Sequence, residues 1–341
     1  MQSEPAKPRV EFRHLAVLLG AGLLVYLVVR AGPTTLLHNV QTIGWGLLFV
    51  IALAGLTHVV KTWAWRLALP VNAQRPSFLK TLALRLISEA VGQFGIVGQV
   101  LGEAMRVSLL GSSVPIESGI SSVTLDRGIF IVAGAAVTTM GLMTAMVFLA
   151  LPGAVRSYAL VFAAILLAFI CVLGIMVRKR VRVISGTANA LGGVPRIGEW
   201  LNSRKQVIEA TEREMLNFYH HSPAAFWLSV VLNFLTHALA IAEVYFILLF
   251  MGFHVGVIGA LILESLTKLI NVVGALNPGN VGTYEGGNML IGKLLGLSGG
   301  TGLTLALCRR VRSIFWAIIG GLCLLWFSQS KQQSKPQVEA A

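Results

Sequence analysis

Residues 78–110 read FLKTLALRLISEAVGQFGIVGQVLGEAMRVSLL. The stretch is mostly apolar, but Arg85, Glu89, Glu103 and Arg106 interrupt it. Gly92, Gly95, Gly98 and Gly102 crowd its middle, and Gly111 follows directly. A plain membrane span is a run of about 20 apolar residues with few or no charges, and this stretch is not one. The pattern predicts two short helices around a glycine-rich turn. Irregular backbone at membrane depth survives only where protein or a wet cavity covers it, so the segment needs a surrounding bundle.

The rest of the chain supplies that bundle. Of 341 residues, 55% are hydrophobic and 12% charged, about half the charged share of a soluble domain. Mean hydropathy is +0.78. A water-soluble globule has no means of hiding so much apolar surface. The expected fold is therefore all-α, a polytopic integral membrane bundle. Spans are expected at 15–29 (an uncleaved first helix), 43–60, 119–151, 157–177, 226–250, 257–276 and 301–327. That makes about seven spanning helices, with two glycine-broken re-entrant pairs at 78–110 and 277–297.

Charge orders these pieces. A cytoplasmic tail (1–13) carries Lys7, Arg9 and Arg13, and leads into a first membrane half (14–177). A basic connector (178–222) follows, then a second membrane half (223–328) and a polar tail (329–341). Within the connector, 204–219 has helical spacing, with Glu209 four residues before Arg213. The net charge of +13 fits basic loops facing anionic headgroups rather than nucleic acid. The N-terminus and connector are expected on the cytoplasmic side of the plasma membrane. Asp126 is the one aspartate, so an aspartate-rich magnesium site is excluded. Cys171, Cys308 and Cys323 lie in apolar runs, and the seven histidines are scattered, which argues against a disulfide framework or a metal site. No cofactor is expected.

The two broken segments repeat a pattern. Gly98-Gln-Val-Leu-Gly102-Glu103-Ala-Met-Arg106 matches Gly279-Asn-Val-Gly282-Thr-Tyr-Glu285: Gly-x-Val, then a glycine, then a glutamate. Arg127 follows Glu103 by 24 residues, and Arg309 follows Glu285 by 24. Before each segment a cation and a glutamate stand one helical turn apart, Arg85 with Glu89 and Glu264 with Lys268. Secondary transporters are commonly built from two such halves, with broken helices meeting at mid-membrane. A helix that starts there presents free N–H groups and a positive dipole end, suited to phosphate. Gly98, Gly279 and Gly282 would let a headgroup approach the backbone.

Charged side chains at the bilayer centre cost about 2.5–3.5 kcal/mol each on insertion scales. Their number here points to a shared polar cavity. The candidate substrate-binding residues are Glu103, Arg106, Asp126, Arg127, Gly279, Gly282, Glu285, Arg309 and Arg310, with Arg312 beside them. Glu264 and Lys268 form a proton-coupling or a purely structural pair. Plainer roles compete: Glu103 with Arg106 as an i,i+3 pair, Glu285 as a cap on its own helix with Thr283 as N-cap, and the arginines as interfacial anchors. Asp126 and Arg127 are adjacent, so each needs a different partner. Glu243 and His237 are weaker candidates, and His58 reads as structural.

These residues together resemble the lysylphosphatidylglycerol synthase transmembrane-region family, the flippase-like membrane domain. Gly102-Glu103-x-x-Arg106 with Asp126-Arg127 is similar to its first signature. Asn277-Pro278-Gly279-Asn280-Val281-Gly282-x-x-Glu285 is similar to its Pro-Gly-Gly-x-Gly-x-x-Glu element, and Gly296 with Arg309-Arg310 to the helix that follows. The resemblance covers roughly residues 10–328. Two departures are Asn280, where the family usually has glycine, and Gly95-Ile96-Val97-Gly98, which lacks a proline. The chain ends at Ala341 without the soluble aminoacyl-transfer domain of bifunctional members, so a stand-alone member that does not itself make lysyl-lipid is expected. The resemblance implies translocation of a phospholipid or related amphiphile, with membrane lipids as partners. Two other classes stay open. One is a lipid headgroup or isoprenoid-phosphate transferase, with Glu285 as base and Arg309 on phosphate. The other is an accessory subunit that hands lipid to a separate synthesis enzyme.

Overall fold

The computed structural model describes residues 34, 41–69, 75–111, 114–190, 199, 203–275 and 280–333. Among these there is no strand. In chain order the helices are α1 (Gly46–Ala68), α2 (Phe78–Gly92), α3 (Gly95–Leu110), α4 (Ile116–Phe148), α5 (Gly153–Arg178), α6 (Val183–Ala190), α7 (Lys205–His221), α8 (Pro223–Phe250), α9 (Gly256–Gly274), α10 (Thr283–Leu294) and α11 (Gly299–Gln333). Six of them, α1, α4, α5, α8, α9 and α11, are long and apolar enough to cross a membrane. They match six of the seven expected spans; the seventh, 15–29, lies outside the described residues. The protein is thus an all-helical polytopic membrane bundle.

Local chemistry sets the helix ends. The Ser77 hydroxyl accepts the Lys80 N–H and starts α2. Pro223 stands at the first turn of α8, where its missing N–H costs no bond. The 78–110 stretch breaks as its glycines predict: α2 and α3 are an antiparallel hairpin joined through Gln93 and Phe94, and Gly111 ends α3 at φ +79°. α5 has one buried residue, Ala163. A helix apolar on every face and packed on one neighbour, α4, fits a lipid-facing position.

Contacts fix the directions. Ala64 near the end of α1 accepts a hydrogen bond from Ser229 near the start of α8, while Phe49 stacks edge-on with Phe246 near the end of α8. α1 and α8 are therefore antiparallel. α11 runs opposite to α2, with Ser313 donating to Gln93 and Gly320 against Leu86. α4 runs opposite to α9, with Gly141 against Ser265 and the Leu261 carbonyl. The set α1-α2-α3-α4 and the set α8-α9-α10-α11 thus make corresponding contacts in opposite directions. The hairpin α2/α3 enters from the end where the α6–α7 connector lies. α9 and α10 enter from the other.

Apolar residues collect at the two ends. One cluster holds Val50, Val244, Ile247, Leu248, Leu263 and Leu305. The other holds Trp65, Leu69, Leu84, Ile87, Leu110 and Val123, with Leu324 and Phe327 against it. Charged residues occupy the level between them. Small residues let the backbones close up. A methyl on Gly98 would lie 2.3 Å from the Val91 carbonyl oxygen, and one on Gly102 2.5 Å from that of Ser88. This corrects the expectation for Gly98: α2 fills the space a headgroup would need.

The connector is helical and tied to the bundle. Glu212 is buried and accepts the N–H groups of Ile184 and Ser185, 2.7 and 3.2 Å away, and the Ser185 hydroxyl. Glu214 accepts the Ser118 hydroxyl of α4 at 2.9 Å. Glu209 and Arg213, spaced for an i,i+4 pair, do not form one within 4 Å among the described residues; packing of α7 on α4 and α8 sets which acids point inward.

Candidate functional site

In the first half, Asp126 of α4 is 2% exposed and accepts from both Arg85 of α2 (3.0 and 3.1 Å) and Arg106 of α3 (3.0 Å) on its Oδ2. The Arg106 guanidinium also lies 3.9 Å from the Trp65 ring centroid, a cation–π contact in a desolvated place. Trp65 is fixed in turn by its Nε1–H to Ser122. Arg127, one residue on, turns away to Glu103 of α3 at 3.4 Å and to Gln99 at 2.5 Å. Arg106 therefore does not pair with Glu103, and Arg85 does not pair with Glu89. The buried aspartate takes both arginines because lone buried charges are far more costly than paired ones.

In the second half the central residue of the long helix is a cation. Arg309 of α11 reaches Glu243 of α8 at 3.1 Å and Glu264 of α9 at 2.8 Å. Glu264 also holds Lys268 at 3.2 Å, the expected i,i+4 pair, and Glu243 also holds Arg312 at 2.6 Å. Arg310 pairs with Glu285 of α10 at 2.5 Å. Counting 24 residues on from Glu285 points to Arg309; the helix places Arg310 there instead, and Arg309 faces α8 and α9. The other Glu285 oxygen accepts the Gly282 N–H at 2.7 Å. Gly282, at φ +80°, is the N-cap of α10, in place of Thr283. Glu285 thus both caps its helix and holds an arginine.

Asn280 explains its own departure from the glycine of the family signature. Its φ is +51°, a region where asparagine is among the few side chains tolerated. Its amide donates to Asn271 of α9 at 2.8 Å. A methyl on Gly274 would strike the Asn280 side chain, at 1.8 Å. Gly279 lies outside the described residues.

Three cavities open between these networks. The first, about 230 Å³, is bounded by Lys61, Glu89, Gln93, Gln99, Glu103 and Arg127 among others. The second, about 440 Å³, is lined by Lys61, His237, Glu243, Glu264, Lys268, Arg309 and Arg312 together with apolar residues of α4, α5 and α9. The third, about 250 Å³, is lined by Gln93, Asn271, Asn280, Tyr284, Arg309, Arg310, Arg312 and Ser313. Lys61 and Phe130 border both the first and second, Gln93 the first and third, and Arg309 and Arg312 the second and third. Cations outnumber carboxylates around them. The third has three arginines and no carboxylate among its lining residues.

The candidates Glu103, Arg106, Asp126, Arg127, Glu264, Lys268, Glu285, Arg309 and Arg310 all take part in these ion pairs. The residue that sequence reasoning missed is Lys61. It lies in α1 with its Nζ 4.8 Å from the Phe130 ring centroid, and it makes no ion pair within 4 Å among the described residues. In sequence it stands beside Trp63 and Trp65 at the end of an apolar run, a pattern that suits an interfacial anchor; the signal against that role is Arg66, which already supplies a basic residue in the last turn. Gln93, Gln99, Asn271 and Ser313 were also missed, as uncharged polar residues carry little signal in an apolar run. His58 stacks on Trp316 at 5.1 Å, a structural place, and His237 lies on Phe130 at 4.6 Å.

No curated protein and no solved structure matches the chain. The model of the family described as "Lysylphosphatidylglycerol synthase TM region" matches residues 14–321. That span takes in both hairpins, both ion-pair networks and the connector, and the chain belongs to this family of lipid-related membrane proteins.

Proposed function

We propose that the protein moves a phospholipid or related amphiphile between membrane leaflets, with the headgroup held where the two halves meet. In this reading 78–110 and 277–297 are re-entrant and meet at mid-membrane, beside α9, which is long and apolar enough to cross. The observation that carries it is the set of three cavities at that level, which share lining residues and are lined by an excess of cations. Arg309 and Arg312 stand at the junction of the second and third, and Lys61 at the junction of the first and second. A guanidinium offers a phosphate two parallel donors. A polar path across the apolar layer lowers the cost of carrying a charged headgroup through it.

Transport is favoured over catalysis because the buried acids are already engaged. Asp126, Glu243, Glu264 and Glu285 each hold a cation, which leaves them poorly placed to act as a general base. The connector end carries Arg66, Arg75, Lys80 and the run Arg178, Lys179, Arg180 and Arg182, whereas the opposite loop at 251–255 has no Lys or Arg. By the positive-inside rule the connector end is cytoplasmic, in the plasma membrane in this reading.

The test is reconstitution in liposomes with headgroup-labelled lipids of several charges and an impermeant quencher. Protein-dependent exchange of an anionic-headgroup lipid, lost in Arg309→Gln, is the expected result. No exchange of any lipid, with or without a proton gradient, rejects the proposal.

A further inference from the structure

The second cavity has both kinds of wall. Its lining includes the charged Glu264, Lys268, Arg309 and Arg312, and also the apolar Ile131 of α4, Phe162 and Leu166 of α5, and Val272 of α9. Its volume is about 440 Å³, toward the low end of the roughly 300–1,000 Å³ of pockets that enclose drug-sized ligands. It has room for a headgroup and the start of a chain, and not for a whole diacyl lipid. Ile131, Phe162 and Val272 stay exposed, Val272 at 70%, so the apolar wall is open. α5 and α9 both wall this opening without packing extensively on each other. Among the described residues, no helix follows α11 as α5 follows α4.

We infer that the gap between α5 and α9 is a lateral portal that holds the acyl chains of the transported lipid in the bilayer while its phosphate sits at Arg309 and Arg312. The inference rests on the transport reading above. It adds a chain-binding site, assigns Phe162, Leu166 and Val272 to it, and gives the lipid-facing α5 a role. Apolar side chains at the portal meet chain methylenes, and the charged wall meets the headgroup, so the cargo must carry both. The portal lies between α5 of the first half and α9 of the second.

The experiment compares variants in proteoliposomes with a headgroup-labelled diacyl lipid. Leu166→Trp/Val272→Trp fills the portal and should slow translocation by about tenfold or more, the effect of ~1.4 kcal/mol on a barrier. Leu160→Trp adds the same bulk to an exposed α5 residue that does not line the cavity, and should leave the rate unchanged. Phe162→Ala/Leu166→Ala widens the portal and should keep or raise the rate for a lipid with a bulky chain label. Binding of the chain-free headgroup, as its glycerophosphodiester, to the detergent-solubilised protein should persist in all variants, which separates a blocked portal from a damaged fold. Wild-type translocation that survives the double tryptophan overturns the portal alone, as does loss of transport in the double alanine. A wild-type protein that moves no lipid overturns the transport reading and the portal with it.

Discussion

Asp126 and Arg309 hold matching positions on the two long helices and carry opposite charge. Each precedes an arginine, Arg127 or Arg310, that pairs with the glutamate of its own short helix, Glu103 or Glu285. Each is held between two counter-ions, Asp126 by Arg85 and Arg106 and Arg309 by Glu243 and Glu264. The sign is also reversed at the preceding turn, where Arg85 and Glu89 stand against Glu264 and Lys268. The outer pairs keep their sign and differ in closure. Glu285 is fully buried on Arg310, whereas Glu103 and Arg127 are part-exposed at a longer distance. The second half is closed on its arginine and the first is open to its cavity.

Removing the centre of a network exposes what it neutralises. Asp126→Ala leaves Arg85 and Arg106 buried without an acid, and breaking a buried pair costs about 3–5 kcal/mol. The thermal midpoint in detergent should fall sharply. Arg85→Met/Arg106→Met/Asp126→Leu, which replaces all three charges by apolar groups, should recover most of the loss. A wild-type midpoint for Asp126→Ala alone would show that this triad contributes no stability.

Lys61 is a different case. It makes no ion pair within 4 Å among the described residues, and it is the main counter-charge to Glu89 across the first cavity. Lys61→Met should lower the midpoint by less than Asp126→Ala does, yet slow lipid exchange by about tenfold or more if the cation hands a phosphate between cavities. Midpoint and exchange rate measured on the same preparation separate these effects. A variant that exchanges lipid at the wild-type rate removes Lys61 from the path.

Much of this was legible in the sequence. Run length and charge gave the spans, since each stretch from 43–60 onward holds enough apolar residues for a helix in lipid. The hairpin at 78–110 followed from its glycines and charges. The candidate charges were found because an ionisable residue in an apolar run is conspicuous. Their partners were not. Arg85 meets Asp126 across 41 residues and Arg309 meets Glu243 across 66, and no local spacing encodes such contacts. The notion that Arg106 pairs with Glu103 failed for that reason. The opposed direction of the two halves was equally hidden, because it depends on whether 78–110 crosses or turns back. The resemblance supplied the lipid connection, which no residue pattern alone contains.

Backbone crossings give a steric test. Gly98→Leu and Gly320→Leu each drive a side chain into a carbonyl of α2, that of Val91 or of Leu86, where a first carbon would lie 2.3 or 2.2 Å away. Overpacking of this kind costs about 1–3 kcal/mol, so both midpoints should fall. Gly128→Ala meets nothing within 4 Å and replaces a helix-interior glycine, which should stabilise by up to about 1 kcal/mol. If all three melt alike, the close crossings of α2 with α3 and α11 are wrong.

The opposed halves make a prediction about sidedness. Lys80 at the start of α2 and Arg180 after α5 belong to the connector end; His254, between α8 and α9, belongs to the other. Single cysteines at these positions, in a chain with Cys171, Cys308 and Cys323 replaced by serine, should divide by side. In intact cells an impermeant maleimide should label His254→Cys, while Lys80→Cys and Arg180→Cys react only after the membrane is opened. The positive-inside rule sets which end faces the cytoplasm, and the antiparallel contacts of α1 with α8 set that the two ends differ. Labelling of Lys80→Cys from the same side as His254→Cys would mean that α2 and α3 do not turn back toward the connector. The two hairpins would then not approach the charged layer from opposite ends, and the correspondence of Asp126 with Arg309 would have no structural basis.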